Sequence, residues 1–486
     1  MHIPIRISKQ SITLLNKKIS AKEDSMVEYK KDLGVKESTA IVISRIIGSG
    51  IFRTPAPIMA LVGCTSLFGL VWIIGGIITI FGAVIYAELT AMIPKSGGPY
   101  VFLKEAYGPY IAFIRGWAMF FVSETASIVA VALVFTEYLN AIYEITSGDP
   151  FNLLTTFIIS LSTIWLLTGI NLFGVGLSGK FQVVFSLTKI GALGAIIGIT
   201  LTSFSTGSLQ NFTSPAWPES FGWHTVLAVG AALRYSFFAF SGWEGATYMA
   251  EEVKHPQKTL PMSLFLGITG VMLLYLGANM GYIYQLGANA IMEEKWVASA
   301  AVKVVLGASG GILISIAVAI NAFGNISTQI LTKSRSWHAM ARDGLFFKRF
   351  RELHPKYKTP NNAMFGQGIW ATVLLIFAVT STYMQSGLSG SNTYETIIDF
   401  FSATSTIFNL LTFGSIYILR KKWPEKDRPY KALFYPLSMI IVLILYIGFF
   451  LVTLITAFIP SMIGFALTAS GTIYYIKVIK SQSRDH

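Results

Sequence analysis

The chain of 486 residues has few charged residues and almost no cysteine. Asp, Glu, Lys and Arg make up 13% of it, whereas a soluble globular domain carries about a quarter. This fraction is too small to cover a water-facing surface, which excludes a soluble multidomain enzyme and an intrinsically disordered chain. The single cysteine, Cys64, excludes a disulfide framework and a cysteine-based metal site.

The sequence also lacks signatures of catalysis and of ATP use. It contains no HExxH motif and no complete Walker loop, and its six histidines lie mostly in loops or tails. A zinc protease with an HExxH motif and a self-contained ATP-driven pump are therefore excluded. We predict that the chain is not an enzyme and that it binds no metal and no cofactor.

Long apolar runs dominate the sequence, and 53% of the residues are hydrophobic. A helix that crosses the hydrocarbon core needs about 20 mostly apolar residues. Twelve runs are long enough, and they are continuously apolar, which excludes a strand barrel. We predict an all-α integral membrane protein with 12 transmembrane helices. The predicted spans are Thr39–Ile58, Ser66–Ile93, Ile111–Ile142, Phe151–Asn171, Phe181–Phe204, Trp223–Ala250, Pro261–Gln285, Ser309–Thr332, Asn361–Met384, Thr393–Leu419, Ala432–Ala457 and Ile459–Lys477.

The basic residues indicate how the chain is oriented. With the N-terminus inside, 31 of the 37 Lys and Arg residues fall in inner tails and loops, and only Lys295 and Lys303 fall in an outer loop. Positive charge accumulates on the cytoplasmic side, so we predict that both termini are cytoplasmic in a multi-pass protein of the cell (inner or plasma) membrane. No signal peptide is expected, because the first thirty-odd residues are polar and basic. The same scatter of basic residues argues against a nucleic-acid partner.

Two predicted spans are interrupted by glycine and small polar residues. The first contains Gly48-Ser49-Gly50, and the sixth contains Ser241-Gly242, about 190 residues later. Helices broken in mid-membrane must direct their unpaired backbone groups at protein or a polar cavity, and transporters with inverted repeats bind substrates there. The alternative is that small residues only allow close packing. Because each break begins a set of five spans, we predict a five-plus-five inverted repeat with two extra helices.

This repeat divides the chain into five segments. The predicted segments are a cytoplasmic N-terminal tail (1–37), a first repeat (38–204), a second repeat (205–419), two further helices (420–478) and a cytoplasmic C-terminal tail (479–486).

Several motifs resemble a known family. Gly48-Ser49-Gly50-Ile51-Phe52, followed by Thr54-Pro55, resembles the first-helix signature of the amino acid–polyamine–organocation superfamily. Phe238-Ala239-Phe240-Ser241-Gly242-Trp243 is similar to the sixth helix of its L-type amino acid transporter branch. The further motifs follow in family order and are Tyr86-Ala87-Glu88-Leu89, Pro94-Lys95-Ser96-Gly97-Gly98-Pro99-Tyr100, Glu251-Glu252-Val253-Lys254-His255-Pro256, Leu260-Pro261, Arg335, Arg342-Asp343-Gly344 and Arg428-Pro429-Tyr430-Lys431.

The resemblance implies a LeuT-like fold with helices 1 and 6 broken at mid-membrane and a substrate site between the breaks. It assigns the substrate carboxylate to Ser49 and Gly50 and the substrate ammonium to carbonyls of Ile46, Phe238 and Ser241. Gly48 and Gly242, at the two breaks, are also predicted to be substrate-binding residues. Helix N-termini favour anions, so the residues alone predict the same division. By resemblance Phe238 is an aromatic lid, and Trp243, after Gly242, lines the side-chain pocket. Ordinary bundle packing is the alternative for both aromatic residues.

Lys189 is a lone cation in the fifth predicted span. An intramembrane charge is costly and therefore suggests a function. The resemblance implies that its ammonium lies where sodium-coupled relatives of the fold hold sodium, and we expect transport without sodium. The alternatives are a proton-coupling role and a lysine that extends to the inner face.

Other intramembrane charges concern selectivity and coupling. Glu244 follows the second break, where L-type relatives often have a neutral residue, and we predict a gate, pocket or coupling role for it. Arg45 is expected to favour acidic substrates, or to pair with Glu244 or Glu88. Glu124 is either structural or lines the substrate route. Arg53 and Arg234 are expected to form pairs at an outer gate. Apart from Glu88, each of these charged residues is a single one within an apolar run.

The predicted function is that of a secondary active transporter, a permease for amino acids that works by alternating access. It is expected to be sodium-independent and to act as an exchanger (antiporter) or as a proton-coupled symporter. One alternative is a polyamine or amine antiporter, and another is a non-transporting nutrient receptor on the same scaffold. The side chain of the transported amino acid is left open.

The predicted partners are an amino acid substrate, the lipid bilayer and, for a symporter, protons. In the heteromeric animal members of the family, the loop after helix three carries a cysteine that binds a heavy subunit. Residues Asn140–Pro150 contain no cysteine, and Cys64 lies near the first outer loop. No disulfide-linked heavy subunit is therefore expected.

Overall fold

The computed structural model describes residues 33–95, 98–173, 179–357, 359–387 and 393–479. Most of the predicted N-terminal tail and nearly all of the C-terminal tail lie outside this part of the chain. The described residues are helical throughout, apart from loops and one isolated bridge between Leu33 and Val253. This confirms the all-α class.

Sixteen α-helices can be numbered in chain order among the described residues. They are α1 (Val35–Ile46), α2 (Gly50–Arg53), α3 (Pro55–Val62), α4 (Thr65–Met92), α5 (Pro99–Tyr107), α6 (Pro109–Ala118), α7 (Glu124–Ser147), α8 (Leu153–Leu172), α9 (Gly179–Thr202), α10 (Trp223–Ala239), α11 (Pro256–Glu293), α12 (Val297–Arg342), α13 (Asn361–Ser386), α14 (Thr393–Lys422), α15 (Leu437–Thr456) and α16 (Phe458–Tyr474).

Shorter helical turns connect some of these helices. A π turn over Met119–Ser123 joins α6 to α7, and another over Tyr475–Ile479 follows α16. The 3-10 helices are Leu209–Phe212, Trp243–Glu252 and Lys348–Arg351.

Ten helical segments of the described chain are long and apolar enough to cross a membrane, which confirms a multi-pass membrane protein. Two predicted spans are not among the ten. The first is divided into α1, α2 and α3, and the described side chains of α9 contribute a shorter apolar stretch, Leu187–Thr202.

The first break separates α1 from α2. Helix α1 ends at Ile46, and Ile47 has an extended backbone with ψ 92°. The chain becomes helical again after Ser49, and Pro55, with its fixed φ, begins α3. The predicted interruption at Gly48-Ser49-Gly50 is therefore present in the structure.

The second break follows α10, and it differs in form from the first. Gly242 has φ 96°, a left-handed conformation that glycine adopts without the steric penalty of a side chain. The chain then continues as the 3-10 helix Trp243–Glu252, not as an α-helix. A 3-10 helix winds more tightly than an α-helix and has poorer hydrogen bonds, so the sixth predicted span is interrupted at Gly242 and changes helix type there.

The helices adjoining the breaks pack in the middle of the bundle. Helix α11 packs most extensively against α4 and also against α1, and α12 packs against α7. Many of the largest fully buried side chains lie around α4 and α11, including Trp72, Tyr275 and Tyr282. The breaks are thereby surrounded by protein, as broken helices in a membrane require.

Candidate functional site

The two helix breaks are in direct contact. A Cβ atom on Gly50 would lie 2.5 Å from the Ala239 Cα atom at the end of α10. A Cβ atom on Gly242 would lie 2.7 Å from the Arg45 carbonyl oxygen of α1. Only glycine permits both approaches, so the two glycines bring the interrupted backbones together.

One tyrosine joins the two breaks. The Tyr275 hydroxyl of α11 donates towards the Ile46 carbonyl oxygen at 3.0 Å and the Ala239 carbonyl oxygen at 3.1 Å. A hydroxyl has a single proton, so the two carbonyls share it. Sequence reasoning missed Tyr275, because one tyrosine in a long apolar run gives no signal.

Two of the three carbonyls predicted to bind an ammonium already accept protein hydrogen bonds. Ile46 accepts from Tyr275, and the Phe238 carbonyl accepts from Ser241 at 3.1 Å (amide) and 2.7 Å (hydroxyl). A carbonyl oxygen has two lone pairs, so the Ile46 oxygen can accept a further donor. The Ser49 side chain is 3% exposed at the start of α2.

The predicted aromatic residues lie beside the second break. The Phe238 ring is 8% exposed and packs 5.9 Å from the Tyr394 ring and 6.0 Å from the Phe401 ring of α14. The Trp243 ring packs edge-on at 4.7 Å from Tyr86 of α4. Phe238 therefore spans the gap between the break and α14, and Trp243 the gap between the break and α4.

Lys189 is buried and directed at the first helix. Its side chain is 6% exposed, and its ammonium donates to the Ser44 carbonyl oxygen of α1 at 3.2 Å. A cavity of about 20 Å³ adjoins it, lined in part by Phe52 and Asn321. The alternative of a lysine that extends to the inner face is wrong, because the hydrogen bond holds the ammonium at α1.

Arg45 and Glu244 lie near each other, and Glu124 lies close to them. The Arg45 guanidinium occupies the space where a Gly245 side chain would be, and Glu244 interacts electrostatically with Arg45 and with Glu124. Glu124 itself forms an ion pair with Lys333 of α12 at 2.6 Å. The three predicted residues are therefore brought close to one another beside the breaks, and their roles stay predictions.

The expected pairing of Arg45 with Glu88 is wrong. Glu88 is fully buried, and both of its carboxylate oxygens accept from Arg420 of α14, at 2.7 and 2.6 Å. The backbone amide of Ala432 adds a third donor at 2.6 Å. A bidentate guanidinium leaves no position for Arg45.

Arg53 and Arg234 both form ion pairs, and their location at an outer gate stays a prediction. The Arg53 guanidinium contacts Glu137 of α7 and Glu395 of α14, each at 2.7 Å. Arg234 of α10 lies 3.0 Å from Asp399 of α14. The sequence predicts that each arginine forms an ion pair. It does not identify the partners on α14, because acidic residues near a helix end are also typical of a solvated turn.

Comparisons with known proteins agree on one family. The family model described as "Amino acid permease" matches residues 33–479. The chain is 30% identical over 455 residues to the large neutral amino acids transporter small subunit 2 of Mus musculus, with 93% of this chain and 82% of the relative covered. It is 30% identical over 415 residues to the serine/threonine exchanger SteT of Bacillus subtilis (strain 168), with 85% and 88% covered. It is 26% identical over 457 residues to the human cystine/glutamate transporter, with 93% and 86% covered.

Proposed function

The chain belongs to the amino acid permease family and is an amino acid transporter of the membrane, and we propose that it works by alternating access around one site between its two helix breaks. The observation that carries this proposal is the contact of the breaks, where Gly50 meets Ala239 and Gly242 meets Arg45. Two interrupted helices that meet in a bundle present N–H and C=O groups without a partner in their own helix to one shared point.

We propose that the substrate lies across this point. Its carboxylate is bound by the hydroxyl of Ser49 and the amides around Gly50, and its ammonium by the carbonyls of Ile46 and Ser241. Tyr275 supports the arrangement, because its hydroxyl joins the carbonyls of Ile46 and Ala239. Phe238 covers the substrate on the side of α14, and Trp243 lines the pocket on the side of α4.

The broken helices also support a twelve-span fold. We propose that α1 to α3 together form one span and that α9 forms another, which with the ten long segments makes twelve. The breaks then occupy the first and sixth spans, as a five-plus-five inverted repeat requires. The excess of Lys and Arg in alternate connections supports cytoplasmic termini.

Transport is proposed to be independent of sodium. The Lys189 ammonium, 3.2 Å from the Ser44 carbonyl, supplies a fixed positive charge at the end of the interrupted first helix. A bound cation there would meet like-charge repulsion. Exchange and proton-coupled symport both remain compatible with this site.

We propose that no heavy subunit is attached through a disulfide. One relative is named as a small subunit, which describes that protein. Cys64 of this chain is 1% exposed, and a buried thiol cannot reach a partner cysteine without a rearrangement of its surroundings.

Uptake into sealed proteoliposomes tests the proposal. Labelled serine, threonine and leucine should enter, or exchange with internal amino acid, equally well with and without sodium. Lys189→Met should reduce uptake about tenfold or more, since a hydrogen bond to a charged group contributes about 1.5–3 kcal/mol. The exposed Lys303→Met is the matched control and should transport normally.

Two outcomes would contradict parts of the proposal. Strict dependence on sodium would contradict the role of Lys189, while leaving amino acid transport in place. Uptake of polyamines or amines in preference to every amino acid in a competition panel would favour the amine antiporter instead.

A further inference from the structure

Polar side chains recur at every fourth position along α12. Asn321, Asn325, Gln329 and Lys333 follow this spacing, and residues four apart share one face of an α-helix. None of the four is fully exposed, and α12 packs against α7. Buried polar groups in a membrane protein are costly and usually functional. None of these four side chains takes part in the contacts proposed above for the substrate carboxylate and ammonium.

Three of these side chains form a hydrogen-bonded chain that begins at an ion pair. The Lys333 ammonium contacts the Glu124 carboxylate at 2.6 Å and donates to the Gln329 side-chain oxygen at 2.5 Å. The Gln329 side-chain nitrogen donates to the Asn325 side-chain oxygen at 2.9 Å. The Ser127 hydroxyl of α7 also donates to the Gln329 oxygen, at 3.1 Å.

The direction of this chain follows from Lys333. An ammonium group can only donate, so the oxygen of the Gln329 amide must face it. The Gln329 nitrogen must then face Asn325, whose oxygen accepts. The remaining group of Asn325 is its NH₂, and the orientation of that amide is determined by Gln329, Lys333 and Glu124.

The free end of the chain lies at the first helix break. A Cβ atom on Gly48 would lie 2.5 Å from the Asn325 side-chain nitrogen, so the amide donor is in contact with the break because position 48 has no side chain. Helix α12 thus presents a neutral, oriented hydrogen-bond donor at the point where the proposed substrate lies.

We propose that the Asn325 amide donates to an oxygen on the substrate side chain, which makes Asn325 a specificity-determining residue for neutral amino acids with a hydroxyl or carboxamide side chain. This inference rests on the substrate site proposed above. The α-carboxylate is common to all amino acids and is bound by the backbone and by Ser49. Asn325 lies on a different helix and is therefore available to the side chain. A purely apolar side chain leaves the Asn325 donor unpaired, and a site built to bond an oxygen discriminates against substrates without one.

Gln329 is a positioning residue in this scheme. It touches no substrate and acts by directing the nitrogen of Asn325, and not its oxygen, towards Gly48. Without the Gln329 donor, the Asn325 amide can turn over and present an acceptor to the break. A loss of discrimination in a Gln329 variant therefore reports orientation, which a purely structural role would not change.

The test compares near-isosteric substrates in proteoliposomes. Vmax/KM is measured for threonine against valine and for asparagine against leucine, because each pair differs mainly in side-chain oxygen. The wild-type protein should favour threonine and asparagine. Asn325→Ala and Gln329→Met should each reduce both ratios about two- to thirteenfold, the effect of one neutral hydrogen bond of about 0.5–1.5 kcal/mol. Asn279→Ala is the control, because this buried asparagine donates within its own helix, to the Tyr275 carbonyl at 2.7 Å, and should leave the ratios unchanged.

Three outcomes would overturn the inference. A wild-type protein that favours valine and leucine would exclude it, as would an equal loss for all four substrates in Asn325→Ala, which would place the donor on the carboxylate. Variants that transport with unchanged ratios would exclude it too. In each case transport itself persists, whereas failure of the proposed function would appear as a wild-type protein that moves no amino acid. A folded but inactive Asn325→Ala is replaced by Asn325→Ser, to which the same ratios apply.

Discussion

At the two breaks, the absence of side chains at the glycines matters as much as the side chains that are present. Gly48 allows Asn325 to reach the backbone, Gly50 allows contact with Ala239, and Gly242 allows contact with Arg45. Tyr275 then donates across the gap. The alternatives of close packing and of a binding site are therefore not exclusive here, since close approach places the polar backbone groups of both breaks side by side.

Gly50→Val tests this at the scale of one residue. The added side chain would meet the Ala239 backbone at 2.5 Å, so the breaks must separate, and uptake should be abolished although the protein still inserts. Gly69→Ala is the matched control, because a Cβ atom there has no neighbour within 4 Å. Uptake and membrane level are measured together. Normal uptake by Gly50→Val would show that the contact is dispensable for transport.

At the scale of elements, ion pairs connect helices that are distant in sequence. Arg53 joins α2 to α7 and α14, and Arg234 joins α10 to α14. This ion-pair network contains two guanidinium groups and three carboxylates, and the arginine side chains are 5% exposed. Removing a guanidinium therefore has a different consequence from removing a carboxylate.

We expect Arg53→Gln to destabilise the protein by up to about 3 kcal/mol, because it leaves Glu137 and Glu395 as partly buried carboxylates without their partner. Glu395→Gln should cost much less, since Arg53 keeps Glu137 at 2.7 Å and the excess of negative charge is removed. Thermal unfolding in detergent, followed by size-exclusion chromatography, measures both. Equal losses in the two variants would argue against charge imbalance as the cause.

At the scale of the whole molecule, α14 is held by ion pairs near both ends. Glu395 and Asp399 near its start bond to Arg53 and Arg234, and Arg420 near its end bonds to Glu88 of α4. One helix thus links the two opposite ends of the bundle. Alternating access around a central site requires such ends to separate in turn, and α14 has separable contacts at each.

Orientation in the membrane is a prediction about the whole molecule, and the buried Cys64 makes it testable. Because Cys64 is 1% exposed, the wild-type protein provides a low background for a membrane-impermeant maleimide. Cysteine placed at the exposed position Asp149 should be labelled in intact cells, and cysteine at the exposed position Lys426 only after permeabilisation. The reverse pattern would invert the predicted topology.

Much of the architecture could be predicted because a membrane constrains the sequence locally. Length and hydropathy identify a spanning helix, and glycine beside serine marks an interruption, as at Gly48-Ser49-Gly50. The form of the second break could not be predicted, since the residues after Gly242 suit an α-helix as well as the 3-10 helix observed. The partner of Glu88 could not be predicted either, because Arg420 lies 332 residues away.

The sequence alone therefore determined that this protein crosses the membrane many times, which spans are interrupted, and which few charged residues lie within apolar runs. Hydrophobic run length and backbone flexibility are properties of neighbouring residues and need no knowledge of distant ones. Only the tertiary structure decided which groups meet. It brought Tyr275 to both breaks, Lys189 to Ser44 and the donor of Asn325 to Gly48. Hydrogen bonds and ion pairs depend on distance and direction in space, and these exist only once the helices have packed.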